Sequence, residues 1–495
     1  MRKDFIMKKT MLTVMLMSCF LIFQIAPYVH AAGSTDKSET QILVDMLVES
    51  GVLTRQQGDT FAKRAKALAT KKAKRKDVKH EESYRTARED YVGNDVQVKW
   101  DNRLEFGTRD GNFKGAIGGR IQADAVYIKG ESDLETFLRP QSDFNTRNDR
   151  AFIRRARIYF RGTIYEDFFY KLQYDFAGDV NEIYDTTGDA DFMEEQGFRG
   201  AYMGMKNIPY IGKVTVGQFK EPFSLEELTS SNDITFLERG LPTIFAPGYS
   251  WGAAINNNWF DERVTLGVGA FRNSTESGTM VSSNEWNLTA RATGLPWYDG
   301  EDRLLHVGTS YSLRVPDDRL DYDTGPELRT RDNFVNTTNF NADLENRLGF
   351  ESAFVWGPLS LQGEFIQTWV DKAYDGNADP DTAYFYGAYA YISYFLTGEH
   401  RIFDKDSAEF KNVEPRENFS IKDGTWGAWE VAARYSYLDL DEKDVSINGG
   451  ILNDVTLGVN WYLNPNMKLM FNYVHTHRNG VGYADGIQTR CQIEF

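Results

Sequence analysis

The last ten residues constrain the fold of this chain more than any other segment. From Gly486 to Phe495 the side chains alternate between apolar and polar without interruption. Successive side chains of a strand point to opposite faces, so one face carries Ile487, Thr489, Cys491, Ile493 and Phe495, and the other carries Gln488, Arg490, Gln492 and Glu494. A final strand with one apolar face, one polar face and a terminal aromatic is typical of an outer-membrane β-barrel, and an edge strand of a soluble sandwich is the alternative.

The composition favours the barrel. Aromatic residues make up 14% of the chain, and there are 42 Gly against 13 Pro. A transmembrane barrel uses aromatic girdles at both membrane interfaces and glycine where strands bend. After the first thirty residues there is no apolar run long enough for a membrane-spanning helix.

The N-terminus predicts export. Residues 1–31 read as a signal peptide, with Lys8 and Lys9 before an apolar stretch and a small-residue cleavage pattern ending at Ala31. Residues 32–92 read as a helical periplasmic segment, because apolar residues recur there at helical spacing. Its basic stretch, residues 63–79, fits a solvated helix or stalk, or alternatively a coiled-coil module that assembles with partner subunits.

Residues 93–495 predict an all-β transmembrane barrel. They contain sixteen alternating segments of about the length that a tilted strand needs to cross a bilayer. A further segment, Val96 to Phe106, also alternates. Both chain ends are expected on the periplasmic side, which requires an even number of crossings, so we expect this segment not to span and keep 18 strands as the alternative. The length of the stretch from Thr397 to Thr425, where a short turn is due, has no explanation in the sequence.

One face of the predicted strands is strongly basic. In Phe152 to Arg161 the odd positions carry Arg155, Arg157 and Arg161, and charges are costly on a lipid face, so this face should line the lumen. Neighbouring strands add Lys114, Arg120 and Lys171 in the same register. A row of cations along a pore favours anions. The alternative is ordinary lumen polarity balanced by carboxylates elsewhere.

The loop after the fifth strand, Glu221 to Ser250, is too apolar to lie free in water, so we expect it to fold into the barrel and narrow it. Several motifs here and elsewhere resemble the phosphate-selective porin O and P family: Gly217-Gln-Phe-Lys-Glu-Pro-Phe-Ser-Leu-Glu226, Thr229-Ser-Ser231, Glu238-Arg239, Arg154-Arg155, Gly427-Ala-Trp-Glu430 and Ala433-Arg-Tyr-Ser436. The resemblance implies a 16-stranded barrel, usually trimeric, with Arg120, Arg154 and Arg155 in an arginine ladder and Ser230 and Ser231 in the constriction loop, which also contains Arg239. Alternation alone puts Arg154 on the face opposite Arg155.

The chain departs from that family at Glu226 and Glu227. Phosphate-selective members have a lysine just before the Thr-Ser-Ser sequence, and two carboxylates there would repel phosphate. We therefore expect an outer-membrane porin for small anions or other hydrophilic solutes, with phosphate selectivity left open. A weakly selective general porin and a structural or adhesive barrel are the alternatives.

Other functions are disfavoured. The net charge of -16 argues against a nucleic-acid partner. Gly248-Tyr-Ser-Trp-Gly252 matches the hydrolase pattern G-x-S-x-G, but an alternating strand follows it where a helix is needed. We expect no enzyme activity, cofactor or metal. The expected partners are outer-membrane lipid, two further copies of the chain in a homotrimer, and the barrel-assembly machinery, for which Phe495 would be the signal.

Overall fold

The computed structural model describes residues 96–138, 149–177, 196–274, 285–316, 319–330, 332–375 and 379–495. The predicted signal peptide (1–31) and helical segment (32–92) lie outside these residues and stay predictions. The described chain forms a closed barrel of sixteen antiparallel strands with a two-stranded hairpin added to one edge. None of the helices in these ranges is long and apolar enough to span a membrane.

The hairpin consists of β1 (Val96–Trp100) and β2 (Leu104–Thr108). The first nine wall strands are β3 (Phe113–Gly130), β4 (Asp149–Ile164), β5 (Phe168–Asp175), β6 (Gly197–Ile208), β7 (Gly212–Lys220), β8 (Tyr249–Trp259), β9 (Val264–Arg272), β10 (Trp286–Tyr298) and β11 (Arg303–Val315). Four two-residue strands follow: β12 (Arg319–Leu320), β13 (Asp323–Thr324), β14 (Val335–Asn336) and β15 (Phe340–Asn341). They pair with one another and stay outside the barrel wall.

The wall resumes with β16 (Leu344–Trp356), β17 (Leu359–Ala373) and β18 (Asp381–Phe395). A short pair, β19 (Ile402–Asp404) and β20 (Glu409–Lys411), precedes the last four wall strands, β21 (Ala428–Glu442), β22 (Ile447–Asn464), β23 (Met467–Arg478) and β24 (Gly482–Glu494). The helices are α1 (Ser132–Leu138), α2 (Leu225–Leu228) and two 3₁₀ turns, Leu241–Phe245 and Lys443–Val445.

The barrel closes where β24 pairs with β3, in register from Ala484 opposite Gly130 to Glu494 opposite Arg120. Beyond that point β2 takes the same edge of β3, with Leu104 opposite Ile117. Phe495 lies at the junction, where its N–H donates to the Gly119 carbonyl at 3.0 Å and its carbonyl accepts from the Gly119 N–H at 2.6 Å. The expectation of sixteen strands in the barrel wall is thus confirmed. The segment from Val96 lies in the hairpin that pairs with β3.

The two faces of β24 are divided as the alternation predicts. Ile487 and Phe495 are 40% and 37% exposed on the outer surface, whereas Gln488 and Arg490 are buried inside. Cys491 is exposed on the outer face. Most of the short turns, among them residues 165–167 and 357–358, share one rim with Phe495, which we call the short-turn rim. Most of the long loops leave the opposite rim, but residues 396–427 form a long connection at the short-turn rim.

Much of the lumen is filled by apolar packing that we call the inner core. Loop L3 (residues 221–248) and the described residues of loop L5 (316, 319–330 and 332–343) fold inward and pack, together with α1, against inward side chains of β17 to β24. The buried members include Leu134, Phe223, Phe245, Tyr322, Leu328, Phe334, Phe340, Phe385 and Leu438. Apolar loops need such a surface, and the barrel's own inner wall provides it.

The unexplained stretch after β18 also folds into the lumen. Residues 396–427 place Phe403 and Phe410 against Leu304 and Val355 of the wall and against Leu225 of L3. Arg291 donates to the Ala408 carbonyl at 3.0 Å and fixes this segment. Among the described residues, no residue within the strands β4, β5, β6, β7, β8 or β9 themselves belongs to the inner core or to this second cluster. Ile128 of β3 belongs to the inner core, so the wall that borders the passage is the lumen face of β4 to β9 with the neighbouring part of β3 around Arg120.

Candidate functional site

The passage wall carries a basic face built from three consecutive strands. Arg120 of β3 lies opposite Arg157 of β4, and Arg161 of β4 lies opposite Lys171 of β5. Lys114 is on the same face of β3 but is exposed near the short-turn rim. The structure therefore brings the predicted ladder residues onto one surface, with Lys114 at its edge.

A β-bulge places Arg154 and Arg155 on the same side. Gln122 pairs with Arg155 and Ala123 pairs with Ile153, so Arg154 has no partner in the register. The extra residue reverses the alternation, and both guanidinium groups reach the lumen. The expectation from alternation that Arg154 lies on the outer face was wrong. Alternation also predicts that the even position Phe152 lies on the outer face, and this was wrong as well. Phe152 faces inward opposite Asp124, while Ile153 is 49% exposed on the outer face.

Four cations of this wall lack an acidic partner. Within the described residues, no carboxylate oxygen lies within 4.0 Å of the charged groups of Arg120, Arg155, Arg161 or Lys171; Arg157, in contrast, pairs with Asp175 at 2.6 Å. Arg155 donates to the amide oxygen of Gln122 at 2.8 Å, which leaves its charge uncompensated. The wall therefore presents net positive charge to the passage.

Loop L3 meets this wall through hydroxyl groups. Arg120 donates to Ser231 Oγ at 2.8 Å and to Ser230 Oγ at 3.3 Å. L3 begins with Glu221, whose carboxylate is buried and accepts from Ser250 at 2.7 Å and from Arg314 at 3.1 Å. The loop is thus held at its start by the wall, and its tip carries both serines to the basic face.

Glu226 and Glu227 are tied into the structure of the loop. Glu226 is buried and accepts from Arg434 at 3.1 Å and from the Gly240 N–H at 2.9 Å. Glu227 pairs with Lys220 at 2.9 Å and with Arg239 at 3.1 Å. The expected repulsion of phosphate required two free carboxylates facing the passage, and these two carboxylates are compensated by cations.

Glu238 and Arg239 complete the anchoring of L3. Glu238 pairs with Arg154 at 3.1 Å and with Arg490 at 2.9 Å. Arg239 also donates to the carbonyls of Glu226, Glu227 and Thr229, at 2.9 to 3.0 Å. Arg239 is therefore a brace within the loop.

The charges in L3 shift its acidic groups in opposite directions. Burial alone would raise the pKa of Glu238, but the charges of Arg154 and Arg490 outweigh it and hold that pKa well below its ordinary value. Burial likewise opposes the charges of Arg239 and Lys220 at Glu227, whose net pKa is lowered. Asp233 is different, because burial and the charge of Glu494 raise its pKa to about 7. Burial also raises the pKa of Glu226, so L3 contains acids whose pKa values are raised as well as acids whose pKa values are lowered.

The Gly248 to Gly252 motif has no hydrolase geometry. Ser250 lies within β8, and its hydroxyl donates to Glu221 as part of the L3 anchor. A nucleophile elbow needs a sharp turn between a strand and a helix. The serine has a structural role here.

Arg434 and Arg490 were not among the predicted site residues, although both are fully buried. Arg434 joins Glu226 of L3 to Glu327 of L5, and Arg490 joins Asp124 of the wall to Glu238 of L3. The sequence signal for both is an arginine on the lumen face of an alternating strand. Their partners lie too far away in the chain for alternation to identify.

Sequence comparison identifies relatives over most of the chain. The family model for phosphate-selective porin O and P matches residues 116–495. The chain is 29% identical to Porin O of Pseudomonas aeruginosa over 449 residues, which cover 81% of this chain and 93% of that protein. It is 24% identical to an uncharacterized protein of Caulobacter vibrioides over 396 residues, covering 76% of this chain and 71% of that protein.

Solved barrels also resemble this structure. The outer membrane channel DcaP of Acinetobacter baumannii aligns with a TM-score of 0.46 and 15% identity, covering 78% of this chain and 98% of its own. An anion-selective porin from Comamonas acidovorans aligns with a TM-score of 0.43 and 13% identity, covering 77% of this chain and 100% of its own.

Proposed function

The chain belongs to the phosphate-selective porin O and P family, and on that premise we propose that its channel passes small anions in preference to cations. Family membership makes the protein an outer-membrane porin, through which small hydrophilic solutes and ions diffuse passively. Its relatives are channels, which agrees with the expectation that the chain is not an enzyme.

The uncompensated cations of the passage wall carry the proposal. Arg161 and Lys171 face the lumen without a carboxylate within 4.0 Å in the described part of the chain, and Arg155 is buried beside them without one, whereas Glu226, Glu227 and Glu238 of L3 are each paired with basic groups. At 5 Å a unit cation attracts a unit anion by about 3 kcal/mol at an effective dielectric near 20. A row of such groups lowers the barrier for anions along the whole wall.

Phosphate is a suitable ion for this wall. Arg120 offers a guanidinium group beside the hydroxyls of Ser230 and Ser231, and phosphate oxygens accept from both kinds of donor. The second candidate is weak selectivity among hydrophilic solutes. Lys220, which directly precedes L3, favours this second candidate. Its ammonium group is paired with Glu227 and so is occupied by a carboxylate of the protein.

We propose the orientation and the assembly on the same premise. The strand β3 begins at the rim where Phe495 ends, so any chain before β1 emerges on the short-turn side, which in porins is periplasmic. We place residues 32–92 there. The outer face meets lipid, three copies form the functional porin, and the barrel-assembly machinery recognises the terminal strand with Phe495.

The reversal potential under a salt gradient tests the proposal. In a planar bilayer with unequal KCl concentrations, the wild-type channel should give the sign of an anion-preferring pore. The double variant Arg161→Gln/Lys171→Gln should lower the anion-to-cation permeability ratio at least about twofold, while Lys129→Gln, on the outer face, should leave it unchanged. A wild-type channel that prefers cations would refute the proposed anion preference but would leave the porin function standing. No conductance at all would favour the structural or adhesive barrel.

A further inference from the structure

The passage wall also contains a row of aromatic side chains beside its cations. In one cross-strand row Arg161 lies opposite Lys171, and Lys171 lies opposite Tyr202. The row continues through Gly217 and Gly252 to Phe271. Two cations and two aromatic rings thus stand at one level of the barrel on six neighbouring strands, β4 to β9, with the two glycines on the strands between the rings.

The rings contact one another across the strands. Phe169 lies 6.4 Å from Tyr202, Tyr202 lies 5.9 Å from Phe219, and Phe219 lies 5.4 Å from Phe271, measured between ring centroids. All three pairs are edge-to-face, a preferred geometry for aromatic pairs. Phe169, Tyr202 and Phe219 are half-buried, so each keeps part of its surface open to the passage.

Glycines on the neighbouring strands fix these rings in place. A Cβ atom at Gly204 would lie 2.4 Å from the ring of Phe169, and one at Gly252 would lie 2.5 Å from the ring of Phe271. Any larger residue would push the ring away from the wall. The rings therefore occupy fixed recesses, and a ligand that stacks on them loses little further conformational freedom in the protein.

Basic groups accompany the rings along the wall. The ammonium group of Lys213 lies 4.9 Å from the ring centroid of Phe169. Lys171 and the guanidinium of Arg161 lie 5.7 and 5.6 Å from the ring of Tyr159. An inorganic anion can use only the cations. An anion with an attached planar group can place its charge on Arg161 and Lys171 and its ring against Tyr202 and Phe169.

We propose that this row, Arg161, Lys171, Tyr202 and Phe169, is a binding subsite for aromatic anions such as aryl phosphates and aryl carboxylates. The inference rests on the anion channel proposed above and adds a substrate class to it. The cations select for negative charge, and the rings add affinity for a planar apolar group that inorganic phosphate lacks.

Channel block by a matched pair of ions tests the subsite. Phenyl phosphate and inorganic phosphate differ by the ring, so the ratio of their half-blocking concentrations in single-channel chloride currents isolates the aromatic contribution. The wild-type channel should bind phenyl phosphate about fivefold more tightly than inorganic phosphate. Phe169→Leu and Tyr202→Leu should each reduce this ratio to about two or less, and Tyr202→Phe should preserve it.

Phe168→Leu is the matched control, because Phe168 adjoins Phe169 in sequence and is 51% exposed on the outer face. Its ratio should equal that of the wild type, and block by inorganic phosphate reports whether each variant forms a normal channel. Equal affinities for the two phosphates in the wild type would overturn the subsite while an anion-preferring reversal potential still held. An unchanged ratio in both leucine variants would overturn it as well.

Discussion

Arg434 holds two lumen loops to the wall, and its removal should be among the most damaging single substitutions in the barrel. Its guanidinium lies 3.1 Å from the Glu226 carboxylate of L3 and 2.6 Å from the Glu327 carboxylate of L5, and it donates to the Glu238 carbonyl at 2.9 Å. Arg434→Leu leaves two buried carboxylates and one buried carbonyl without this donor. Loss of a partner from a buried ion pair costs about 3 to 5 kcal/mol.

The neighbouring contacts set the expected size of the effect. Glu226 keeps the Gly240 N–H at 2.9 Å, and Glu327 keeps the hydroxyls of Ser436 and Thr456, so the ion-pair loss should be near the lower end of that range. The orphaned carbonyl adds about 1 kcal/mol. We expect the free energy of unfolding of Arg434→Leu to fall by about 4 kcal/mol at pH 8.

Urea unfolding of the barrel refolded into phospholipid vesicles, followed by tryptophan fluorescence, measures this loss. The control is Arg303→Leu, since Arg303 is 47% exposed and its pair with Asp299 spans 3.6 Å, so its effect should stay within about 1 kcal/mol. Adding Glu226→Gln and Glu327→Gln to Arg434→Leu should restore at least half of the loss, because no charge remains unpaired. A wild-type-like Arg434→Leu would refute the reasoning.

Three further outcomes are expected. Burial and Glu494 raise the pKa of Asp233 to about 7, so this carboxyl is neutral below that pH and negative above it. The anion-to-cation permeability ratio should therefore fall as pH rises from 6 to 8, and Asp233→Asn should make the change smaller. Deletion of Arg154 removes only the extra residue of the bulge and leaves Gln122 opposite Arg155 and Ala123 opposite Ile153, so the folded barrel, seen as the heat-modifiable band on gels, should still form, while the pair between Arg154 and Glu238 is lost. Deletion of Phe495 removes two hydrogen bonds to Gly119 at the closing junction and should slow assembly severalfold in a refolding time course, with full-length chain as the control.

The alternation of apolar and polar residues predicted the barrel wall, because each strand has one face toward lipid and one toward the lumen. The face on which a residue lies depends only on its neighbours in the sequence. The faces of β24 and the odd positions of β4 from Arg155 onward follow from it directly. The bulge at Arg154 did not, because strict alternation assumes that every residue is paired, and one extra residue reverses the faces of the residues before it. The resemblance to the family places both arginines in the ladder; the structure puts both side chains in the lumen, and their role in the ladder stays a prediction.

The interior was harder to predict because its contacts join distant parts of the chain. The apolar character of L3 indicated that it folds inward, but the pairing of Glu226 with Arg434 spans 208 positions. For the same reason Glu226 looked like a free charge in the sequence, whereas Glu227 is paired with the nearby Lys220 and Arg239. The length of residues 396–427 became interpretable only once Phe403 and Phe410 were seen against L3 and the wall.

The barrel wall and the inner core of this protein are stabilised in different environments. Lipid and the strand ladder hold the wall, while the contents of the lumen are held as in a water-soluble domain, by apolar side chains such as Phe245, Tyr322 and Phe340. The contents can therefore melt while the cylinder persists. Heating a single channel in a bilayer should then show a step to a wider, less selective opening before any loss of the barrel. The unfolding temperature of the inner core would set the upper limit for a selective channel, and that of the wall would set the limit for the barrel itself.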